Sequence, residues 1–446
     1  SFSSEMILMQ AFARIWSRFF PNPRYYGWAV VGLGFLCSAL SSPGQSFAIS
    51  LYLEHLITDL GISRVELSSL YAVATLAAAV CLPFIGGWSD RTTGRRFLVP
   101  VLLLLALAML FASRVESVAA LGLAFFALRL LGQGAIGLGT LTLTVRWFRR
   151  YRGRALAVVS LGYAFGEMIF PGAIYALIEA LGWRGSLVVL AALYLLLFVP
   201  LVGVLLRERE EKEPMDGDAA LPEAVAAASA PTDERSFSLR ETLRLPVFWG
   251  MLLCLSVPPL VMTAVIFHQV ALFTDQGWGA ALVPPAFMAF ALASVVMTYG
   301  TGLALERVPS RYAVTLSMGL TVLAFASMAL PLNGVPGALL YGALLGLGAG
   351  AAGAANSIVW PDYFGIDALG AIKGVVNGVR NGATAIGPPL AAVLIAADGS
   401  FAAPLLVFGG MSAAAAAAAI TLRPPRDDAT ALQEDGAINA PAFEGG

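Results

Sequence analysis

Charged residues are scarce in this sequence. Asp, Glu, Lys and Arg account for 12% of its 446 residues, and the formal net charge is −1. A chain so close to neutral lacks the basic surface that attracts nucleic acid, so we expect no nucleic-acid partner. Histidine is scarcer still, because His55 and His268 are the only two. The sequence has no metal-ligand spacing, no Ser/His/Asp grouping and no phosphate-binding loop, which argues against an enzyme and against a bound metal or cofactor.

Cysteine is also rare, and the three present, Cys37, Cys81 and Cys254, fall in separate apolar stretches. This excludes a disulfide framework and leaves them as small core residues. The N-terminal stretch EMILMQAFARIWSRFF has no small-residue cleavage site and carries arginines within its apolar pattern, unlike a cleavable signal peptide. We interpret residues 1–25 as a cytoplasmic amphipathic segment that lies on the membrane surface.

Apolar residues, by contrast, make up 58% of the chain, and the mean hydropathy is +0.79. These values are typical of a membrane protein. Runs of roughly 20 apolar residues are long enough to cross a hydrocarbon core of about 30 Å as helices. The sequence therefore predicts an all-α membrane protein with twelve transmembrane helices, at 26–53, 64–88, 97–113, 117–146, 154–180, 185–206, 247–274, 282–305, 311–330, 336–360, 370–397 and 402–422.

Arginines are distributed unevenly between the two sides of such a bundle. If the N-terminus is cytoplasmic, the outer side holds only Arg64, Arg114 and Arg184. The inner side holds Arg14, Arg18, Arg24, Arg91, Arg95, Arg96, the basic residues from Arg146 to Arg154, those of the central loop, Arg307, Arg311, Arg423 and Arg426. The positive-inside rule then places both termini in the cytoplasm. An excess of 25 arginines over two lysines favours a GC-rich bacterial source, and hence a bacterial inner membrane.

The two halves of the chain repeat one another. At an offset of 216 residues, LITDLGI from Leu56 falls on LFTDQGW from Leu272, and GGWSDRTTGRR falls on GLALERVPSRY. Beyond Phe148 the offset becomes 217, and Pro171 falls on Pro388. Since six helices return the chain to its starting side, the repeat is parallel. We therefore expect an N-terminal six-helix bundle at 26–206, a cytoplasmic linker at 207–245, a C-terminal six-helix bundle at 246–422 and a cytoplasmic tail at 423–446.

Four motifs resemble those of the major facilitator superfamily. They are the GGWSDRTTGRR loop, which is one residue longer than usual between DR and its glycine, RLLGQGAIG from Arg129, GYAFGEMIFPG from Gly162 and GWRGS from Gly182. The resemblance covers nearly the whole chain apart from the termini and the central loop. It implies two six-helix bundles that rock about a central site, giving alternating access to the two sides of the membrane.

A narrower resemblance points to the monocarboxylate transporter and oxalate/formate antiporter branch. It is carried by YYGWAVV at Tyr25, FHQVALFTDQG at Phe267 and YFGIDALGAIKG at Tyr363. That branch moves small organic anions, commonly with a proton or in exchange. Its carriers usually hold an arginine in helix 8, whereas residues 283–305 here contain no charge. The carboxylate-binding role would then fall to Arg380 or Arg129.

Three ionisable residues lie deep in the predicted spans. At about 1.5 Å per residue, Arg129 lies roughly 18 Å and Arg380 roughly 15 Å from their helix starts on opposite sides, and Glu167 lies roughly 21 Å from its own. A charge at that depth usually faces a polar cavity or a partner. Arginine can hold a carboxylate through two parallel hydrogen bonds, so we predict that both arginines bind substrate and that Glu167 carries a proton. The alternative is an Arg129–Glu167 pair that merely neutralises two buried charges.

Further polar residues in the spans extend the predicted substrate site: Gln45, Tyr163, which falls opposite Arg380 in the repeat, Asn377, Asn381 and His268. His268 lies near the outer mouth, where it would either bind substrate, sense protons or make a local hydrogen bond. The charged loops predict a gating latch between the two bundles, formed by Asp90, Arg91, Arg95, Glu306, Arg307 and Arg311. The alternative is a solvated charge cluster that only sets topology.

Together these features predict a monomeric, proton-coupled secondary transporter of small organic anions, mono- or dicarboxylates, that works by alternating access and carries no cofactor. A proton-driven multidrug efflux antiporter is the alternative, because the helix 4 arginine and helix 5 glycine motifs permit it as well. Two arginines against one glutamate disfavour its cationic substrates. A receptor that binds without transport is a third hypothesis.

Overall fold

The structure is a computed structural model that describes residues 26–148, 151–207, 237–305, 307–365 and 367–425. The predicted amphipathic segment 1–25, most of the linker, the tail beyond 425 and the gating residue Glu306 lie outside the described residues. The described residues are helical throughout their regular structure and contain no strand, which confirms the all-α membrane fold.

Twelve helices, α1 to α12, follow one another along the described chain. Their bounds are Gly27–Ala39 (α1), Arg64–Arg91 (α2), Gly94–Ala112 (α3), Val118–Trp147 (α4), 152–181 (α5), 183–205 (α6), Pro246–Phe267 (α7), Val283–Ala304 (α8), Ser310–Ser327 (α9), Val335–Phe364 (α10), Leu369–Asp398 (α11) and Ala402–Thr421 (α12). Shorter helices at Leu53–Leu60 and Gln269–Asp275 follow α1 and α7.

Nine continuous helical stretches among the described residues are long and apolar enough to cross a membrane. One of them, Arg152–Leu205, contains both α5 and α6, because the chain turns at the single left-handed residue Gly182, which has φ 72°. The other two helices of the twelve, α9 and α11, are less apolar. The predicted count of twelve is therefore consistent with the structure.

Backbone geometry repeats between the halves at the positions that the sequence offset pairs. Gly61 and Gly277 both adopt positive φ, as do Gly182 and Gly399, a conformation that glycine adopts without steric cost. Asp59, two residues before Gly61, accepts hydrogen bonds from Trp183 Nε1 at 2.9 Å and from Arg184 at the start of α6. These two donors hold the pKa of the Asp59 carboxyl below its ordinary value.

Glycines let helices approach closely within each half. A Cβ on Gly162 of α5 would lie 2.1 Å from the carbonyl oxygen of Phe35 on α1. In the second half, a Cβ on Gly387 of α11 would lie 2.2 Å from the carbonyl oxygen of Leu260 on α7. Both contacts require glycine, which agrees with the small-residue packing common between membrane helices.

The two halves meet at the end of the bundle that carries Arg64, Arg114 and Arg184. We call it the opposite end, because it lies across the bundle from the arginine-rich end described next. The ring of Tyr71 contacts the ring of Phe267 with centroids 4.3 Å apart, and the ring centroids of Phe47 and Phe287 are 5.9 Å apart. Ser68 Oγ lies 3.4 Å from His268 Nε2, across the same seam.

The other end, which we call the arginine-rich end, carries Arg91, Arg95, Arg146 and Arg311. Here the halves are separated. Gly374 and Gly378 of α11 face open space, since within the described residues no atom outside their own helix backbone lies within 4 Å of the position of a Cβ on either. On α4, Leu141 is 47% exposed. The central cavity therefore opens toward the arginine-rich end.

Candidate functional site

A local break in α1 creates the centre of the candidate site. After α1 the chain forms a tight turn at Ser42–Gly44 and then a short helix, Ser46–Ser50. Facing it, α4 contains a wider π-helical turn at Arg129–Ala135. Gly44 packs on Gly132 there, and a Cβ on Gly44 would lie 2.2 Å from the carbonyl oxygen of Leu128. Such π-turns are common at functional sites because they redirect side chains.

Arg129 is held in this break and is 1% exposed. Its Nη1 donates to the carbonyl oxygen of Gly44 at 3.1 Å and to Ser46 Oγ at 3.4 Å, and its Nε donates to Thr75 Oγ1 at 3.2 Å. The guanidinium carbon lies 5.0 Å from the centre of the Tyr71 ring. Nη2 is buried without a hydrogen-bond partner among the described residues. Arg129 is thus fixed by neutral groups and keeps one donor nitrogen free.

Arg380 on α11 is half-buried and turns toward α7, where Nη1 donates to the carbonyl oxygen of Leu255 at 2.8 Å. Pro259 explains why that carbonyl is available. A proline has no N–H, so the carbonyl four residues earlier in the helix loses its usual donor. In a membrane helix such a freed group needs a partner from a neighbouring helix. Arg380 supplies it and keeps its remaining donors.

Two adjoining cavities lie between the halves, one of about 450 Å³ and one of about 360 Å³, and both are lined by Gln133 and Thr384. Glu167 and Tyr163 of α5 line the larger cavity, together with Gln45 and Ser46. The smaller one is lined by Arg129, Asn377 and Asn381. Arg380 lies between these two asparagines on α11, one turn before Thr384.

Most of the predicted site residues are therefore brought together, because Gln45, Arg129, Tyr163, Glu167, Asn377 and Asn381 all line the two cavities. Arg380 is not among the residues that line them, because its side chain turns to α7. Nor is His268. It is buried in the closed seam at the opposite end, where Nε2 lies 3.0 Å from the carbonyl oxygen of Pro388.

Sequence reasoning did not select Gln133, Thr384 or Thr75, although all three contribute polar groups to the cavities. Gln133 lies four residues after Arg129 and Thr384 four residues after Arg380, so each shares a helix face with an arginine that was selected. This spacing was the available signal. Thr75 sits on a different helix from Arg129, and the sequence offers no comparable pointer to it.

The deep ionisable residues of the site are not paired with one another, in contrast to the alternative of an Arg129–Glu167 ion pair. None of Arg129, Glu167 and Arg380 forms an ion pair with another described residue. The Arg129–Glu167 pair is accordingly not formed in this conformation. The cavities thus contain a carboxylate and a guanidinium that do not neutralise each other.

The predicted latch residues lie at the open, arginine-rich end. Asp90, Arg91 and Arg307 are exposed, and within the described residues no ion pair joins them across the halves. Arg146 instead ties the loop together by donating to the carbonyl oxygens of Ser89 at 3.3 Å, Asp90 at 2.6 Å and Thr92. Arg311 stacks on Tyr312, with its guanidinium carbon 5.0 Å from the ring centre. Arg95 is exposed and lines a cleft between the first turns of α3 and the last turns of α6.

The sequence matches the profile of the Major Facilitator Superfamily over residues 31–343, which is more than half of the chain. The chain therefore belongs to this superfamily and is a multi-pass membrane transporter. Its fold is similar to two crystal structures of a bacterial homolog to the human lysosomal transporter Spinster, one inward-facing and occupied, the other inward-facing and unoccupied. The occupied structure has a TM-score of 0.66 at 14% identity, covering 89% of this chain and 92% of that chain. The unoccupied structure has a TM-score of 0.65 at 15% identity, covering 90% and 95%.

Proposed function

We propose that this transporter carries small organic anions, mono- or dicarboxylates, together with protons. The observation that carries the proposal is the state of its two deep arginines. Arg129 and Arg380 are held by hydroxyl and carbonyl groups rather than by carboxylates, and each retains unused donors. A carboxylate is the ligand that pairs with a guanidinium most strongly.

The surroundings of the arginines support an anion of modest size. Gln133, Asn377 and Asn381 add amide donors beside Arg129 without adding negative charge. Cavities of about 450 and 360 Å³ suit a small molecule. We expect the substrate carboxylate to be held between Arg129 of the first half and Arg380 of the second, so that it draws the two halves together.

Proton coupling is assigned to Glu167. Its carboxyl group lines the larger cavity beside Tyr163 and Thr384, and no cation of the described part of the chain is paired with it. As the halves rock, this carboxyl group would become accessible first from one side of the membrane and then from the other. The charge of a substrate bound nearby would also change the affinity of Glu167 for a proton.

The proposal further places the arginine-rich end in the cytoplasm of a bacterium, with both termini on that side and the transporter in the inner membrane. The distribution of arginines supports this orientation. The conformation described here would then be the inward-facing one, in which Arg129 and Glu167 are reached from the cytoplasm. The latch of Asp90, Arg91, Arg95, Glu306, Arg307 and Arg311 would close in the outward-facing state.

Flux in proteoliposomes tests the proposal. Labelled mono- and dicarboxylates are offered with and without an imposed pH gradient, and counterflow exchange, which needs no net proton movement, is measured in parallel. We expect one acid to accumulate with the gradient. Arg380→Gln should abolish uptake and exchange, whereas Glu167→Gln should abolish gradient-driven uptake and keep exchange. Arg240→Gln, a change at an exposed residue outside the cavities, is the matched control for losing an arginine.

Two results would contradict the proposal. Normal carboxylate uptake by Arg380→Gln would exclude Arg380 from the substrate site. Movement of a cationic dye by the wild type, with no flux of any acid, would favour drug efflux and leave the arginines structural. The free carboxylate of Glu167 is the feature that such an efflux protein would use for its cationic substrate.

A further inference from the structure

A further cavity, of about 920 Å³, lies away from the two central cavities at the arginine-rich end. It is a cleft between the first turns of α3 and the last turns of α6, on the outer side of the first half. Its walls include Tyr26, Arg95, Arg96, Val99, Val204 and Arg207. Of the residues that line this cleft, only Arg95 also belongs to the latch proposed above.

The mouth of the cleft is positively charged. Arg95, Arg96 and Arg207 are all exposed, and no acidic side chain is among the described residues that line it. Arg207 is positioned by Tyr26, since its guanidinium carbon lies 5.7 Å from the ring centre and Tyr26 Oη donates to the carbonyl oxygen of Leu205 at 2.6 Å. The N-terminus of α3, where Arg95 lies, adds the positive end of a helix dipole.

The rest of the cleft lining is mainly apolar, and exposed apolar residues occur beyond it along α3 and α6. Val99 and Gly203 face each other at the floor, where a Cβ on Gly203 would lie 3.9 Å from Val99 Cγ2. Further along, Val204 is 79% exposed and Leu196 81% exposed on α6, and Leu107 is 47% exposed on α3. A cationic mouth above an apolar groove fits an amphiphile better than it fits a soluble anion.

We propose that this cleft binds the phosphate headgroup of an anionic phospholipid, with the acyl chains along α3 and α6. Basic pockets between membrane helices bind such headgroups, and each arginine near the surface strengthens the attraction. Arg95, Arg96 and Arg207 would surround the phosphate, and Val99 and Val204 would contact the first carbons of the chains. The site is independent of the transported substrate.

Native mass spectrometry of the full chain in detergent tests this site. The probes are phosphatidylglycerol and phosphatidylcholine with identical acyl chains, and glycerol phosphate as the soluble headgroup. We expect phosphatidylglycerol to remain bound in preference to phosphatidylcholine. The triple variant Arg95→Gln, Arg96→Gln, Arg207→Gln should lose at least about tenfold of this preference. The matched control, Arg240→Gln, Arg244→Gln, Arg423→Gln, removes the same charge from exposed residues outside the cleft and should keep it.

A second variant tests the cleft without changing its charge. Gly203→Leu fills the floor between α3 and α6 and should also lower the retention of phosphatidylglycerol, which keeps the test decisive if the triple variant fails to fold. Equal losses in the two triple variants would overturn the proposal, because they would indicate general surface attraction. Unchanged retention in Gly203→Leu, or displacement of the lipid by glycerol phosphate alone, would overturn it as well.

Discussion

The contact between Arg380 and the carbonyl oxygen of Leu255 separates a structural role of the arginine from a role in binding. Arg380→Ala leaves the carbonyl that Pro259 has freed without its donor, which costs about 1–3 kcal/mol of stability. Pro259→Ala restores a backbone N–H to the same carbonyl. In that background the loss of Arg380 should therefore cost about 1–3 kcal/mol less, a coupling that a double-mutant cycle isolates.

Thermal unfolding of the four proteins in detergent measures this coupling as a difference of a few °C between the two Arg380→Ala penalties. Transport gives the second readout. If Arg380 binds the substrate carboxylate, the double variant folds well and still fails to exchange labelled acid, whereas Pro259→Ala alone retains substrate binding in a ligand-dependent thermal shift. Recovery of exchange in the double variant would refute the binding role, and identical penalties in both backgrounds would refute the role of the proline.

Three further predictions concern other parts of the molecule. Asp59→Asn should lower the unfolding temperature at neutral pH. Because the folded-state pKa of Asp59 is depressed, the difference in unfolding temperature from the wild type should shrink as pH falls below about 4. Equal unfolding temperatures at neutral pH would show that the carboxylate does not contribute to stability. Gly44→Ala should abolish transport and reduce folded yield because its Cβ meets the α4 backbone, whereas Gly32→Ala, which faces open space, should not; equal effects would contradict the close packing. Ser68→Ala removes a hydrogen bond with His268 across the closed seam and should lower the population that is open at the arginine-rich end by up to about fivefold, measured as slower thiol labelling in a Gly378→Cys background; unchanged labelling would exclude a role for the bond.

The fold was largely predictable because each membrane-spanning helix corresponds to a long apolar run in the sequence. The division into two halves was predictable because glycines and prolines recur at a fixed offset. Two local features were not predicted. The span 26–53 was interpreted as one helix, although residues 41–46 read SSPGQS and a Pro-Gly pair is typical of a turn. The packing of Gly44 against α4 fixes that turn at Ser42–Gly44. The α5–α6 boundary is one left-handed glycine, which a hydropathy pattern does not distinguish from a short loop.

The depth of each site residue followed from counting along its helix, whereas the direction in which it points did not. Arg380 turns to α7 because Pro259 frees a carbonyl there, and that relation joins two helices far apart in the chain. His268 was placed near the outer mouth from its position in α7, and the structure finds it in the closed seam rather than in the cavities. Direction depends on the neighbouring helix, which a single sequence does not identify.

The repeat explains why a symmetric fold can hold an asymmetric site. Equivalent positions of the two halves face the same cavity: Ser46 pairs with Met262, and Glu167 pairs with Thr384, at offsets of 216 and 217. In the same register Tyr163 is the counterpart of Arg380. The repeated backbone therefore presents each such position to the cavity once from each half, whereas the side chains differ: Glu167 supplies a carboxyl group and its counterpart Thr384 a hydroxyl group. Under the function proposed above, a substrate anion bound between the halves would contact different groups in each half, so that the proposed proton and anion sites would respond to each other as the halves move.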